Sequence, residues 1–299
     1  TSDEAIVMGE KKGLSLGIAH IPEVLLDNTD RNRTSPFAFT GNKFEFRAVG
    51  SSANSATPMM VLNTIVAKQL ESFRKEYDEE REKDPSKKEG IILKILKKYI
   101  KESKSILFEG NGYSKEWEEE AAKRGLSNIK DVPDALKAYI SEKTYTLFED
   151  MKVLNRRELH ARYEIRLENY IKKIQIESRV IGDLAQNHVV STAVKYQTRL
   201  VQTAKALQEL GLSEDASPII EIIKDISNRV KVIKTNVLSM TEARKKANNA
   251  DNTVEKARIY STEVRPYFDV IRKNVDKLEL IIDDEDWPLT KYRELLYIR

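Results

Sequence analysis

Apolar residues recur at intervals of three and four through the second half of the chain, which is the spacing of a buried helix face. Over 217–248 the intervals alternate between four and three, at Ile219, Ile223, Ile226, Val230, Ile233, Val237 and Met240. The same rhythm runs through 252–284 and is broken only at Ser261. With two further stretches, 155–184 and 187–211, this pattern predicts four long helices packed as a bundle.

Residues that break helices set the predicted helix ends. Gly182 separates the first helix from the second, the segment from Gly211 to Pro218 separates the second from the third, and an Asn/Asp-rich turn at 248–252 precedes the fourth. Glycine and asparagine are common just beyond a helix end because they adopt positive φ. Pro266 lies inside the fourth helix, where its missing N–H predicts a kink or a lost hydrogen bond.

The region before the bundle predicts shorter elements. A helix is predicted from Pro58 to about Arg81, with Thr57 as N-cap. Ser114 is the predicted N-cap of a short helix that ends at Gly125, and Asp131 that of another through Ile140.

A helix over 91–100 carries lysines on one face, including Lys94 and Lys98, and a solvated face is the favoured interpretation over an acidic partner. The length of the predicted elements changes along the chain, and this predicts three parts: a first part over 1–83, an insertion of short helices over 84–153 and a helical bundle over 154–299.

The stretch from Asp27 to Thr57 differs from the rest because its pattern has a period of two. Two short runs, 37–40 and 43–47, flank a Gly41-Asn42 turn pair and predict a β-hairpin. Alternation along a strand places Phe44 and Phe46 on one face and Lys43, Glu45 and Arg47 on the other. The aromatic face is expected to anchor the hairpin on a core.

The charged face of this hairpin has two interpretations. Guanidinium groups bind phosphates and carboxylates, and a carboxylate beside them can hold a divalent cation, so Lys43, Glu45 and Arg47, with Arg33 upstream, are suited to phosphoryl transfer. The alternative is that these side chains form the solvated face of an amphipathic strand, which is common. His160 and His188 lie on different predicted helices, and neither completes a triad or a metal site.

Composition narrows the class of protein. The 299 residues include 51 basic and 48 acidic side chains with a net charge of +3, which points to neither nucleic acid nor a membrane as partner. The absence of cysteine excludes disulfides, thiolate zinc sites and cysteine nucleophiles. The chain has no apolar run near the ~18 residues of a membrane span and no signal-peptide core, so a cytoplasmic location is expected. It begins with Thr1 instead of Met, which suggests a fragment.

Three motifs near the hairpin carry a family resemblance. The sequences Asn32-Arg33-Thr34-Ser35, Lys43-Phe44-Glu45-Phe46-Arg47 and Ala53-Asn54 resemble the glutamine synthetase catalytic domain, whose pattern runs Asn-Arg-Ser, Arg-x-Glu-x-Arg and Ala-Asn-Pro-Tyr. The segment with the sequence DRNRTSPFAFTGNKFEFR resembles the type III glutamine synthetases in particular. The catalytic resemblance covers residues 1–70, and the helical remainder is also similar to the carboxy-terminal region of that family. The sequence departs at Ala38, where the commoner pattern has a second arginine.

The resemblance implies a role for each matching residue. Arg33 would contact the transferring phosphoryl group, and Lys43, where the family has arginine, would lie near the nucleotide phosphates. Glu45 would be a ligand of Mg²⁺ or Mn²⁺, and Arg47 would hold the carboxylate of substrate glutamate. The fold implied is mainly α: a short β-hairpin remnant of an α+β glutamine-synthetase-like catalytic domain, followed by a long-helix bundle.

The implied activity is the ATP-dependent ligation of ammonia to L-glutamate through γ-glutamyl phosphate, in a ring-shaped homo-oligomer whose neighbouring subunits complete each site. The remaining metal ligands of the family lie mostly upstream of this sequence, so the 299 residues alone are expected to be inactive. Two alternatives stay open: a related γ-glutamyl–amine ligase, and a helical-bundle scaffold without catalysis.

Overall fold

The computed structural model describes residues 13–14, 24–25, 37–39, 43–47, 53–83, 88–107, 111–112 and 114–296. Its strands are β1 (Gly13–Leu14) paired antiparallel with β2 (Val24–Leu25), and β3 (Phe37–Phe39) paired antiparallel with β4 (Phe44–Phe46). Its α-helices are α1 (Ala56–Lys83), α2 (Lys88–Ser103), α3 (Lys115–Lys123), α4 (Val132–Leu136), α5 (Glu142–Asp150), α6 (Arg156–Asp183), α7 (Ser191–Glu209), α8 (Ser213–Asn248), α9 (Thr253–Ile259) and α10 (Pro266–Glu279). Short 3₁₀ helices span Lys104–Ile106, Lys137–Ile140 and Tyr292–Leu296. The described part is mainly α, as predicted.

The chain forms two compact units. The first comprises residues 1–129 and 146–154, and the second comprises residues 130–145 and 155–299. The chain therefore passes three times between the units, and helix α5 contributes to both. The predicted three-part division with boundaries after residues 83 and 153 stays a prediction.

In the first unit, α1 begins two residues before the predicted start. The Asn54 side-chain oxygen accepts a hydrogen bond of 2.8 Å from the backbone N–H of Ala56, which is the first residue of the helix. Thr57 is therefore inside the first turn and is not the N-cap. An asparagine side chain readily takes up a backbone N–H two residues ahead, and this local bond supplies a start signal that the sequence analysis missed.

Helices α1 and α2 run antiparallel and are joined by ion pairs. Lys94 Nζ lies 2.5 Å from a Glu80 carboxylate oxygen, and Lys98 Nζ lies 3.0 Å from Glu76. Tyr99 also donates to Glu76, at 2.9 Å. Both lysines remain exposed, at 69% and 52%, so the prediction of a solvated face is correct for them, and the acidic residues of α1, spaced four apart, pair with them at the surface.

The short helices have the predicted caps. The Ser114 hydroxyl accepts from the Trp117 N–H at 3.2 Å, and an Asp131 carboxylate oxygen accepts from the Asp134 N–H at 3.0 Å. Helix α3 is followed by Gly125 with φ +75°, a conformation that costs glycine little.

In the second unit, α6 and α7 are parts of one continuous helical run. The backbone stays helical through a π-helical segment, Leu184–Val190, so the break predicted near Gly182 does not occur. Among the described residues of this unit, the long helical runs are 156–209, 213–248 and 253–279. The prediction of a bundle is correct, whereas the prediction of four separate helices is wrong.

Gly182 lies inside the continuous helix and does not end it. A β-carbon built at this position would lie 3.5 Å from Val237 Cγ1 and 3.5 Å from Met240 Cε, both on α8. These are ordinary van der Waals distances, so a methyl group fits here beside the buried side chains of Val237 and Met240. Gly211, in contrast, has φ +80° and follows the end of α7, as predicted. The predicted separation through Pro218 is wrong, because α8 begins at Ser213 and Pro218 lies inside it.

The fourth predicted helix is divided by a second π-helical segment, Tyr260–Val264, which precedes α10. The Arg265 N–H donates to the Tyr260 carbonyl, five residues back, at 3.0 Å. Pro266 follows immediately and begins α10, since proline has no N–H to donate and fits the first helical position. The predicted interruption at Pro266 therefore takes the form of a wider turn.

A polar contact ties three of these elements together. Asn248 Oδ1, at the end of α8, accepts a hydrogen bond of 2.8 Å from the Tyr260 hydroxyl and one of 3.1 Å from Gln175 Nε2 on α6. Tyr260 is fully buried, and this burial raises the pKa of its hydroxyl, which keeps the proton that it donates.

The variant Gly182→Ala is expected to raise the free energy of unfolding by about 0.5–1 kcal/mol. The new methyl group would meet its neighbours at ordinary contact distance, and alanine loses less backbone entropy than glycine in a helix. Urea denaturation of the chain measures this. Gly211→Ala is the matched control, and it should destabilise by about 1–2 kcal/mol because alanine resists positive φ. Destabilisation by Gly182→Ala would contradict the packing argument.

The variant Tyr260→Phe is expected to lower the free energy of unfolding by about 1 kcal/mol, because it removes one buried hydrogen bond and keeps the ring. The same denaturation experiment measures it. Tyr196→Phe is the control: this tyrosine packs against the same core, and in the described part of the chain its hydroxyl makes no hydrogen bond. Equal effects of the two variants would show that the bond to Asn248 contributes nothing.

Candidate active site

The hairpin predicted from the period-two pattern is present. Strand β3 pairs with β4 in a register that sets Phe37 opposite Phe46, Ala38 opposite Glu45, and Phe39 opposite Phe44. Aromatic residues favour this extended pairing because they pack well on a pleated surface. The position at which the sequence departs from the commoner family pattern, residue 38, is thus the direct cross-strand neighbour of Glu45. The predicted Gly41-Asn42 turn lies outside the described residues.

The charged side chains form the line that strand alternation predicts. Lys43 precedes β4, Glu45 is its central residue and Arg47 follows it. Lys43 Nζ lies 3.4 Å from Glu45 Oε1, and Arg47 Nη2 donates to Glu45 Oε2 at 3.1 Å. Each carboxylate oxygen therefore has its own cationic neighbour, and the carboxylate bridges the two cations.

These three side chains differ in exposure. The side chain of Lys43 is 65% exposed, that of Glu45 37% and that of Arg47 24%. The hydrogen bond from Arg47 is the main cause that lowers the pKa of the Glu45 carboxyl; partial desolvation opposes this, and Lys43 adds to the lowering. Glu45 is consequently an anion at neutral pH, and the less exposed Arg47 is its closer partner.

The two aromatic side chains of β4 differ in exposure, contrary to expectation. Phe44 is 59% exposed, whereas Phe46 is half-buried. The expectation that both rings anchor β4 on a core is therefore wrong for Phe44 within the described residues. A large apolar side chain this exposed leaves apolar area available for packing.

The other predicted site elements can be placed only in part. Arg33 lies outside the described residues, and so does Gly50 of the loop before α1. Asn54, at the end of this loop, is described, and its side chain is engaged with the Ala56 N–H. Among the predicted site residues, the structure therefore brings together Lys43, Glu45 and Arg47.

A divalent cation finds one suitable ligand here. Glu45 provides an ionised, partly exposed carboxylate, the ligand type that Mg²⁺ and Mn²⁺ prefer. Within the described ranges, no group of three or more His, Cys, Asp and Glu side chains could hold a metal ion. His160 lies on α6 with Glu164 as neighbour, at 3.5 Å. Among the described residues, Glu45 is therefore a single carboxylate without companion ligands for a metal ion.

Comparison with known proteins shows similarity to glutamine synthetases. Residues 91–208 match the family model described as "Glutamine synthetase C-terminal domain". The chain is 51% identical to "Glutamine synthetase" of Bacteroides fragilis (strain YCH46), over 97% of this chain and 40% of that protein. It is 35% identical to "Type-3 glutamine synthetase" of Dictyostelium discoideum and 32% identical to "Glutamine synthetase" of Butyrivibrio fibrisolvens, over 96% and 91% of this chain and 39% and 38% of those proteins.

The chain is therefore similar to the glutamine synthetases, and its residues 91–208 match the model of their C-terminal domain. More narrowly, its resemblance to the carboxy-terminal part of a type III glutamine synthetase is confirmed. The chain spans about 40% of the length of the curated relatives it matches. The hairpin precedes residues 91–208, which match the domain model. It lies within the alignment with the Bacteroides protein, because that alignment leaves out only about 3% of this chain. Among the helices of the described residues, none is long and apolar enough to cross a membrane.

The pKa of Glu45 is expected to rise in the variant Arg47→Gln, because the variant removes the main cause of its lowering. A lowered pKa means that the ionised form stabilises the hairpin above the pKa of the unfolded chain, and that this stabilisation is lost as the pH falls through the folded-state pKa. Carbon-13 NMR of the carboxyl groups measures the titration. Lys94→Gln is the control and should leave the titration of Glu45 unchanged; an unchanged titration in Arg47→Gln would contradict the assignment.

Proposed function

We propose that the full-length protein containing this sequence is a glutamine synthetase, which ligates ammonia to L-glutamate at the expense of ATP. The observation that carries the proposal is the line of Lys43, Glu45 and Arg47, held on one face of β4, in a chain whose curated relatives are named glutamine synthetase.

The proposed reaction has two steps. The γ-carboxylate of glutamate attacks the γ-phosphorus of ATP, which forms γ-glutamyl phosphate and releases ADP. Ammonia then attacks the activated carbonyl carbon, and inorganic phosphate leaves with the electrons of the carbon–oxygen bond. Phosphoryl transfer depends mainly on positioning and on neutralising negative charge, so cationic side chains are the groups it requires.

Each hairpin residue has a role in this proposal. Arg47 binds the α-carboxylate of glutamate through its guanidinium fork, and its partial burial favours a directed contact. Lys43, which is more exposed, lies near the nucleotide phosphates. Arg33, from the preceding segment, contacts the transferring phosphoryl group. Glu45 would be one ligand of Mg²⁺ or Mn²⁺, and such an ion would supply neutralisation of charge on the phosphates.

The 299 residues do not suffice for this chemistry in our proposal. In the described part of the chain Glu45 has no further carboxylate or histidine partners with which to hold a metal ion. We therefore propose that the rest of the full-length protein supplies the missing ligands, and that neighbouring subunits of a ring-shaped homo-oligomer complete each site.

A forward assay with ATP, glutamate, ammonia and Mg²⁺ on the full-length protein tests this function. Wild type is expected to form glutamine, and Glu45→Ala to lose about two orders of magnitude in turnover, because no neighbouring carboxylate replaces the lost ligand. Arg47→Ala is expected to raise the KM for glutamate by about ten- to a hundredfold, the range for a hydrogen bond to a charged group.

Glu80→Ala is the matched control, since Glu80 is also a carboxylate paired with lysines but lies on α1, outside the hairpin. It is expected to retain wild-type turnover. Normal activity of Glu45→Ala at ordinary Mg²⁺ would contradict the metal assignment. Glutamine formation by the 299-residue chain alone would contradict the requirement for the longer protein, and a folded full-length protein that uses another amine in place of ammonia would favour the related ligase.

A further inference from the structure

Helix α8 carries an arginine at a position where the pattern of its buried face predicts an apolar residue. The intervals of four and three that place Ile233, Val237 and Met240 in the core continue to Arg244 and then to Ala247. Met240 and Ala247 are fully buried, and Arg244 between them is half-buried. Moving a charge out of water is unfavourable unless an opposite charge or hydrogen bonds compensate, so Arg244 requires an anionic partner.

A second arginine, Arg179 of α6, lies beside Arg244. Helices α6 and α8 run antiparallel, and Gln175 Nε2 on α6 donates to Asn248 Oδ1 on α8 at 3.1 Å. Arg179 follows Gln175 by four residues, and Arg244 precedes Asn248 by four residues. Since four residues make about one helical turn, the two arginines occupy neighbouring positions one turn from this hydrogen bond. Arg179 is exposed, so the pair is open to solvent on one side.

The buried hydroxyl of Tyr260 lies within reach of both charges. Burial raises the pKa of this hydroxyl, and the positive charges of Arg244 and Arg179 each oppose the increase. Coulombic interactions weaken with distance, so both guanidinium groups lie near this one oxygen. The contact with Asn248 and the effect on Tyr260 therefore locate the two arginines at the same end of the bundle.

Neither arginine has a carboxylate partner in the part of the chain that the structure describes. Within that part, their side chains make no ion pair and no hydrogen bond. The carboxylates of the surrounding helical turns have other partners: Glu177 pairs with Lys173, Asp183 with Asn187, Glu242 with Lys245 and Glu263 with Lys246. The two guanidinium groups therefore repel each other, and an anion between them would remove this repulsion.

We propose that Arg179 and Arg244 form a binding site for a phosphate group. A guanidinium group binds two phosphate oxygens at once through its planar set of N–H donors. A phosphate monoester carries about −1.5 to −2 charges at neutral pH and offers three acceptor oxygens, which matches two arginines, whereas one carboxylate would balance only one of them. The ligand is thus inorganic phosphate or a small phosphomonoester. This inference uses none of the hairpin residues and does not rest on the proposed function.

Equilibrium dialysis of the full-length protein against radiolabelled inorganic phosphate at low ionic strength tests the site. Wild type is expected to bind phosphate saturably. Arg179→Gln and Arg244→Gln are each expected to raise the Kd of this site by at least about tenfold, since each removes hydrogen bonds to a charged group. Sulfate should displace the phosphate, and chloride at the same ionic strength should not. Displacement by a nucleoside monophosphate identifies a phosphomonoester as a ligand, and its failure restricts the site to the free ion.

Arg229→Gln is the matched control, because Arg229 is also on α8 but is paired with Asp225 at 3.0 Å. It is expected to bind phosphate as wild type does. The absence of saturable phosphate binding in folded wild-type protein, or the same Kd in wild type, Arg179→Gln and Arg244→Gln, would overturn the proposal.

Thermal unfolding of Arg244→Met distinguishes phosphate from a carboxylate supplied by another part of the full-length protein or by another subunit. Methionine restores an apolar residue to the buried face, so without phosphate this variant should have a higher Tm than wild type. Added phosphate should raise the Tm of wild type, because it binds the folded state, and it should have less effect on Arg244→Met. A lower Tm of Arg244→Met without phosphate would indicate that Arg244 already has an anionic partner, and it would overturn the phosphate site.

Discussion

One amide oxygen links the three long helical runs of the second unit. Interdigitated apolar side chains set the spacing of packed helices, and a hydrogen bond adds a directional contact that is lost when its partners shift by an ångström. Asn248 Oδ1 accepts from Gln175 on α6 and from the buried Tyr260 hydroxyl, and so it joins α6, α8 and the second π segment. In this alignment Gly182 faces Val237 and Met240 of α8.

The sequence predicted several helix ends from local signals. The caps at Ser114 and Asp131 and the end of α7 at Gly211 follow from backbone chemistry within a few residues, and the structure has them. Other local signals failed: Thr57 lies inside the first turn of α1, and Gly182 lies inside a continuous helix. Glycine is less favourable than alanine in a helix by only about 1 kcal/mol, so local propensity cannot distinguish a glycine that ends a helix from one inside it.

The same distinction applies to the candidate site. Alternation along a strand is a local rule, and it correctly put Lys43, Glu45 and Arg47 on one face. The exposure of Phe44 depends on what packs against the hairpin, which the strand pattern does not contain. The pairing of the α2 lysines with Glu76 and Glu80 could not be predicted for a related reason. Spacing along α2 shows which of its charges share a face, but it does not show that this face packs beside the acidic face of α1.

The two π segments have a consequence for how this chain compares with its relatives. A wide turn holds one residue more than an α-helical turn, and the helices on either side keep the orientation of their buried faces. A homologue can therefore lack a residue at Leu184–Val190 or at Tyr260–Val264 without rotating Leu167 or Ile271 away from the core. When such a homologue is aligned with this chain, a single-residue gap at a π segment is therefore consistent with the structure. An alignment that allows no gap inside a helix would pair the buried residues beyond the π segment with the wrong residues of the homologue.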